Sequence, residues 1–124
     1  MSAGSFRASG AVPGAFSVRV DNHGETVVMS VVGEVDLITA PELAESISQV
    51  LERRPRTVVV DLSAVDFLGS AGMGVLIGGH QEAGDHSRFR VVAAGHVTFR
   101  PMELTGVADI ISIHPTRDQA MAED

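Results

Sequence analysis

The chain has 124 residues, 44% hydrophobic and 20% charged, which suits one domain with a single core and is too short for two substrate-binding lobes. The formal net charge is −7, and its cations are all arginines, scattered except for Arg53, Arg54 and Arg56; this opposes nucleic-acid binding, which needs a concentrated basic surface. There is no cysteine, so disulfides, thiol switches and thiolate metal sites are excluded, and no Trp or Tyr to stack on bases or sugars.

No window approaches the ~20 apolar residues of a membrane span. The N-terminus lacks the basic start and apolar centre of a signal peptide. A cytoplasmic protein with no membrane partner is expected. Residues 1–15 (MSAGSFRASGAVPGA) are small and rich in Gly and Ser. Such a stretch cannot offset the entropy of ordering, so it reads as a flexible tail, with Ser5 and Ser9 as solvated linker serines. Residues 16–124 read as one domain.

Residues 16–20 (FSVRV) alternate apolar and polar, as a half-buried strand does. Asp21, Asn22, His23 and Gly24 are turn formers, and residues 26–32 are again β-branched and apolar. Together they predict an antiparallel hairpin. Thr39, Ala40, Pro41 and Glu42 then spell a capping box, with the Thr39 hydroxyl and the Glu42 carboxylate each satisfying a free backbone N–H. Leu43, Ile47, Val50 and Leu51 follow at helical spacing, and Pro55 stops that helix.

Residues 57–62 (TVVVDL) form a continuous apolar run closed by Asp61, which predicts a central parallel strand covered on both faces. Residues 63–69 read as a loop, and a helix begins at Ser70 with its hydroxyl as N-cap. Met73, Leu76, Ile77 and His80 would share a face of it. Gly78 and Gly79 weaken a helix by about 1 kcal/mol each against Ala, which suggests close packing against a neighbour. Further on, residues 88–93 predict a strand, 98–104 a short helix, 109–113 a short strand, and Thr116 to Gln119 a second capping box opening a last helix. The order is hairpin, then α-β-α-β-α-β-α. The fold class is therefore α/β: a small mixed, mostly parallel β-sheet with an N-terminal antiparallel hairpin and packed helices.

Ser70, at the strand-to-helix joint, has three readings: a helix cap, a nucleophile on an elbow, or a phosphate acceptor. The elbow G-x-S-x-G fails because Leu68 stands at its first glycine; the order Ser70, Asp109, His114 can be written as a triad, but no oxyanion-hole loop accompanies it. Gly69, Gly72, Gly74, Gly78 and Gly79 do not spell a phosphate loop, and no lysine exists to serve one. The phosphate-acceptor reading places the hydroxyl at the open end of a buried strand among small residues that admit another protein. Phosphorylation would add roughly −1.5 to −2 charges. The helix N-terminus tolerates that charge. A partner carboxylate about 5 Å away would be repelled by ~3 kcal/mol per unit charge at an effective dielectric near 20. Of the remaining polar residues, Asp61 reads as a strand-end carboxylate accepting loop N–H bonds, Ser63 as a loop cap and His80 as packed. His23, His86, His96 and His114 show no metal-ligand spacing. Phe67, Leu68 and Met73 stand as contacts beside Ser70 or as core.

The segments GEVDLITAPEL, VVVDLSAVDFLGSAGMGVL and MELTGVADII resemble those of the STAS-domain anti-sigma factor antagonists (anti-anti-sigma factors). The family pattern has G-x-x-D-x-x-[TS]-[AS]-x-x-L early, D-L-S-x-V-x-F-x-D-S-x-G-x-x-x-L in the middle and L-x-x-x-G late. The resemblance implies a STAS fold and a regulatory, non-enzymatic protein without cofactors. It implies that Ser70 is phosphorylated by an anti-sigma factor serine kinase, that the unphosphorylated form binds this kinase and frees the sigma factor, and that a PP2C-type phosphatase resets the cycle. The implied partner-binding surface comprises Asp36, Thr39, Leu68, Gly69, Ser70, Ala71, Gly72 and Met73. ATP would belong to the kinase. Where the pattern commonly has an acidic residue before the serine, this chain has Gly69. A STAS subunit of a stress-signalling complex or lipid transporter, and a small-ligand sensor, are the other readings.

Overall fold

The computed structural model describes residues 15–122. The expected flexible tail falls outside these residues except for Ala15. A five-stranded sheet is flanked by four α-helices, with β1 Ser17–His23, β2 Thr26–Val35, α1 Ala40–Glu52, β3 Thr57–Leu68, α2 Ser70–Ala83, β4 Arg88–Val92, α3 Phe99–Leu104, β5 Ser112–His114 and α4 Arg117–Met121. A single 3-10 turn, Val107–Asp109, precedes β5. The strands lie in chain order. β1 and β2 are antiparallel, and every later neighbour is parallel. This is the mixed, mostly parallel sheet that the sequence implies.

The hairpin closes at Gly24, whose φ of +64° suits glycine, with His23 paired to Thr26. Alternation on the strands then sorts the two faces. Met29, Val31, Val58, Val60, Leu62 and Val91 point into the main core, where Leu43, Ile47, Val50 and Leu51 of α1 and Leu76 of α2 meet them. Val28, Val59 and Val92 point the other way, beneath Ala120 and Met121 of α4. Both faces of β3 are thus covered over its first half, as its continuous apolar run demands.

Several boundaries differ from expectation. The sequence 63–69, expected as a loop, is strand up to Leu68, and β3 runs for 12 residues. Pairing with β2 continues to Val35 opposite Leu68, with register shifts between Ser30 and Val32 and between Gly33 and Glu34. At each shift β3 carries one residue more than β2, so two bulges break the alternation that would have marked the strand. The last strand starts at Ser112 rather than at Asp109, because residues 107–109 form the 3-10 turn.

The small second layer is tied down by an ion pair and by Arg90, whose Nη1 donates to the Ala120 and Ala122 carbonyls at 2.9 and 3.0 Å. Arg117, in the first turn of α4, donates to Asp61 Oδ2 through Nη2 at 2.7 Å and Nε at 2.9 Å, and Nη2 also reaches Ser30 Oγ at 3.0 Å. The Asp61 side chain is 8% exposed. Burial alone would raise its pKa, but the Ser63 hydroxyl and N–H, together with the Arg117 guanidinium, outweigh that and hold it below the ordinary 3.8. A depressed carboxylate pKa stabilises the fold at any pH above the ordinary value and loses that contribution as the pH falls from there through the lowered one. Asp61→Asn should therefore cost about 2–3 kcal/mol in urea unfolding at pH 7 and flatten the acid limb of the stability curve. A variant as acid-sensitive as the wild type would assign that limb elsewhere.

Candidate functional site

Parallel β2 and β3 are neighbours, so the loops leaving their C-terminal ends emerge side by side, where open α/β sheets commonly offer a binding surface. The Gly69 N–H donates to the Val35 carbonyl at 2.9 Å and joins the two exits directly. Asp36 follows Val35, and Ser70 follows Gly69. The structure thus brings together the two segments that the sequence singled out thirty-odd residues apart.

The first exit is a self-contained turn. Asp36 Oδ1 accepts from the amides of Ile38 and Thr39, both at 3.0 Å, and the Asp36 amide donates to Thr39 Oγ1 at 2.9 Å. The Ala40 amide donates to the Asp36 carbonyl at 2.8 Å, a helical bond. Aspartate and threonine thus exchange bonds as a capping box does, three residues upstream of the expected Thr39–Glu42 pair. The Thr39 hydroxyl faces back, donating to the Glu34 carbonyl at 2.8 Å, and caps nothing in α1. The Thr39 amide leads the bonds that hold the Asp36 carboxyl below its ordinary pKa. Leu37 and Ile38, the two residues inside this box, project outward and are 81% and 85% exposed.

At the second exit Gly69 is the N-cap of α2, with φ −90° and ψ 178°, and no side chain caps the helix. The expected cap at Ser70 is therefore not observed. The helix starts one residue earlier than a serine cap requires, and Ser70 is its first helical residue. Its hydroxyl is exposed and makes no hydrogen bond among the described residues. The first α2 bond runs from the Met73 amide to the Gly69 carbonyl, so the amides of Ser70, Ala71 and Gly72 have no partner within the helix.

The other expected surface residues divide. Ala71, Met73 and Gly69 are half-buried beside Ser70, whereas Leu68 and Gly72 are interior. A Cβ on Gly72 would stand 2.6 Å from Val35 Cγ1 and 2.8 Å from Leu68 Cδ1. Gly72 is the close-approach point that lets the first turn of α2 lie on the sheet. Phe67, read as contact or core, is 49% exposed, and its ring lies across Gly69, 3.0 Å from where a Cβ would be. It fills the space that a side chain at residue 69 would need. The end of α3 closes the site on the far side. The Thr105 hydroxyl lies 3.6 Å from the Met73 sulfur while donating to the Pro101 carbonyl at 2.8 Å. Leu37 and Ile38 follow no helix or strand period in the sequence; the signal for them is two adjacent apolar residues inside an Asp-x-x-Thr box that turns both outward.

Ser70, Asp109 and His114 do not assemble as a triad. His114 ends β5, two strands away from β3, and its ring nitrogen is 3.0 Å from the Ser112 hydroxyl. Among the described residues, no three His, Asp or Glu side chains could hold a metal ion, and no helix is long and apolar enough to cross a membrane.

The sequence model of the STAS domain matches residues 17–120. The chain belongs to the STAS family. A relative of this STAS domain, the anti-sigma-F factor antagonist RsfB of Mycobacterium tuberculosis, is 40% identical over 109 residues, spanning 88% of this chain and 89% of its own. The crystal structure of an anti-sigma factor antagonist from Mycobacterium paratuberculosis superposes with a TM-score of 0.84 at 40% identity, covering 90% of the STAS chain and 95% of its own. The Bacillus cell fate determinant SpoIIAA in its phosphorylated form shares the fold, with a TM-score of 0.63 at 20% identity over 86% and 96% of the two chains.

Proposed function

We propose that the protein is an anti-sigma factor antagonist whose unphosphorylated form binds an anti-sigma factor kinase in the cytoplasm and releases the sigma factor, and that phosphorylation of Ser70 turns it off. The observation that carries the reading is the Ser70 hydroxyl: exposed, without a hydrogen bond among the described residues, and set at a helix N-terminus beside the Asp36 turn. The names of relatives that match nearly the whole chain support it. The unpartnered amides of the first α2 turn accommodate a phosphate, so the modified domain keeps its fold and the added charge acts on the partner. Asp36, Thr39, Gly69, Ala71 and Met73 form the contact surface with Ser70, and Leu68 and Gly72 support it from beneath. ATP is a ligand of the kinase, and a PP2C-type phosphatase restores the hydroxyl.

Incubation with the host's anti-sigma factor kinase and ATP, followed by intact-mass measurement, should add one phosphate to the wild type and none to Ser70→Ala. Equal modification of both would move the switch to another residue. No modification of either, together with no binding, would remove the reading.

A further inference from the structure

On the reading of Ser70 given above, we infer that Leu37, Ile38 and Phe67 form the apolar centre of the docking surface, that Glu34, Glu42 and Asp66 form its acidic rim, and that the partner presents an apolar centre inside a basic rim. Single exposed apolar side chains are ordinary on a protein surface. Here three stand within three residues of the Val35–Gly69 bond that joins the two loops, and all are 49% exposed or more. None holds the fold together at that position. Leu37 and Ile38 are turned out by the Asp36–Thr39 box, and Phe67 lies over a glycine.

The charged residues that flank them in the two loops are acidic. Glu34 pairs in register with Phe67, Asp66 precedes it, and Glu42 sits in the first turn of α1; all three are exposed. The arginine cluster Arg53, Arg54 and Arg56 lies at the opposite end, between α1 and the start of β3, and Arg88 opens β4 beside it. The two loops at the Ser70 end are therefore acidic, while the opposite end mixes its arginines with Glu25, Glu52 and Asp85. A partner with a basic rim is the one that this field draws in. An apolar centre within a polar rim is also how stable protein interfaces are built, with the affinity concentrated at the centre.

Centre and rim should separate kinetically. The variant combining Leu37→Ser with Ile38→Ser should dissociate from the host's purified anti-sigma factor at least about tenfold faster in surface plasmon resonance, with little change in association. Phe67→Ser should do the same. The variant combining Glu34→Gln with Asp66→Asn should keep the wild-type dissociation rate within about twofold, associate more slowly, and show a weaker dependence of association on salt. All these side chains are exposed, so circular dichroism should show each variant folded. Wild-type dissociation from the Leu37→Ser, Ile38→Ser variant would overturn the inference and leave the anti-sigma reading standing. Loss of wild-type self-association in the same variant would give the patch to a second copy of the chain and overturn the inference too. Failure of the wild type itself to bind the anti-sigma factor would remove both.

Discussion

Ser70→Glu is expected to weaken binding to the anti-sigma factor by about a hundredfold, near 2.7 kcal/mol, while Ser70→Ala stays within a few-fold of wild type. The alanine change removes a hydroxyl that has no partner among the described residues, so the described fold loses no hydrogen bond. The glutamate change places a charge next in sequence to Gly69, over which the exposed Phe67 ring lies and whose amide bonds the strand end that leads to Leu37 and Ile38. Docking would then strip water from that charge against apolar side chains, at an effective cost of several kcal/mol per ion before any compensation. A charge repelled by a distant partner carboxylate would regain most of its affinity in concentrated salt, whereas a desolvated charge would not. Calorimetric titration at low and high salt separates the two. A deficit that vanishes in high salt would assign the switch to repulsion, and a Glu variant that binds like the wild type would remove Ser70 from the interface.

The glycines of α2 should divide into two pairs of opposite sign. Gly79→Ala should destabilise the domain by about 2 kcal/mol, and Gly72→Ala by a similar amount. A Cβ on Gly79 would come to 2.8 Å from the Phe89 ring and 3.1 Å from Ile47 Cγ2, atoms of the main core with little room to move. On Gly72 it would strike Val35, a β-branched residue held in a strand. Gly74 and Gly78 have nothing within 4 Å of the same position. Gly74→Ala and Gly78→Ala should therefore stabilise by roughly 1 kcal/mol each through helix propensity alone. Urea unfolding of the four single variants measures this directly. Equal effects at all four positions would mean that the close approach of α2 to the sheet does not govern its packing.

Much of the architecture was legible because the core writes a strong pattern. The β-branched run 57–62 reads as a strand covered on both sides, and the stripe Leu43, Ile47, Val50 and Leu51 reads as a helix face; both sets are buried. The upper half of β3 was not legible. Its two bulges shift the register, so Ser63, Ala64, Asp66 and Phe67 lose the period of two by which a strand announces itself. Local polar signals misled in a different way. Thr39 and Glu42 match a capping box in type and spacing, but Asp36 captures the threonine first. Ser70 has the chemistry of a cap, yet the extended backbone of Gly69 starts the helix one residue too early. Hydroxyl partners depend on where a helix begins to within one residue, which composition does not specify. The meeting of the Asp36 and Ser70 segments needed the strand order, and parallel neighbours supply it.

On the proposed reading of Ser70, the Asp36–Thr39 box has a consequence for how such switches multiply in a genome. It closes its own hydrogen bonds and leaves the two residues inside it without a folding duty. Duplicated copies can drift at residues 37 and 38 while Asp36, Thr39 and the sheet beneath stay unchanged. On the reading of Ser70 proposed above, two adjacent side chains free of folding duty beside the acceptor would carry the address of the partner while the acceptor chemistry stays common.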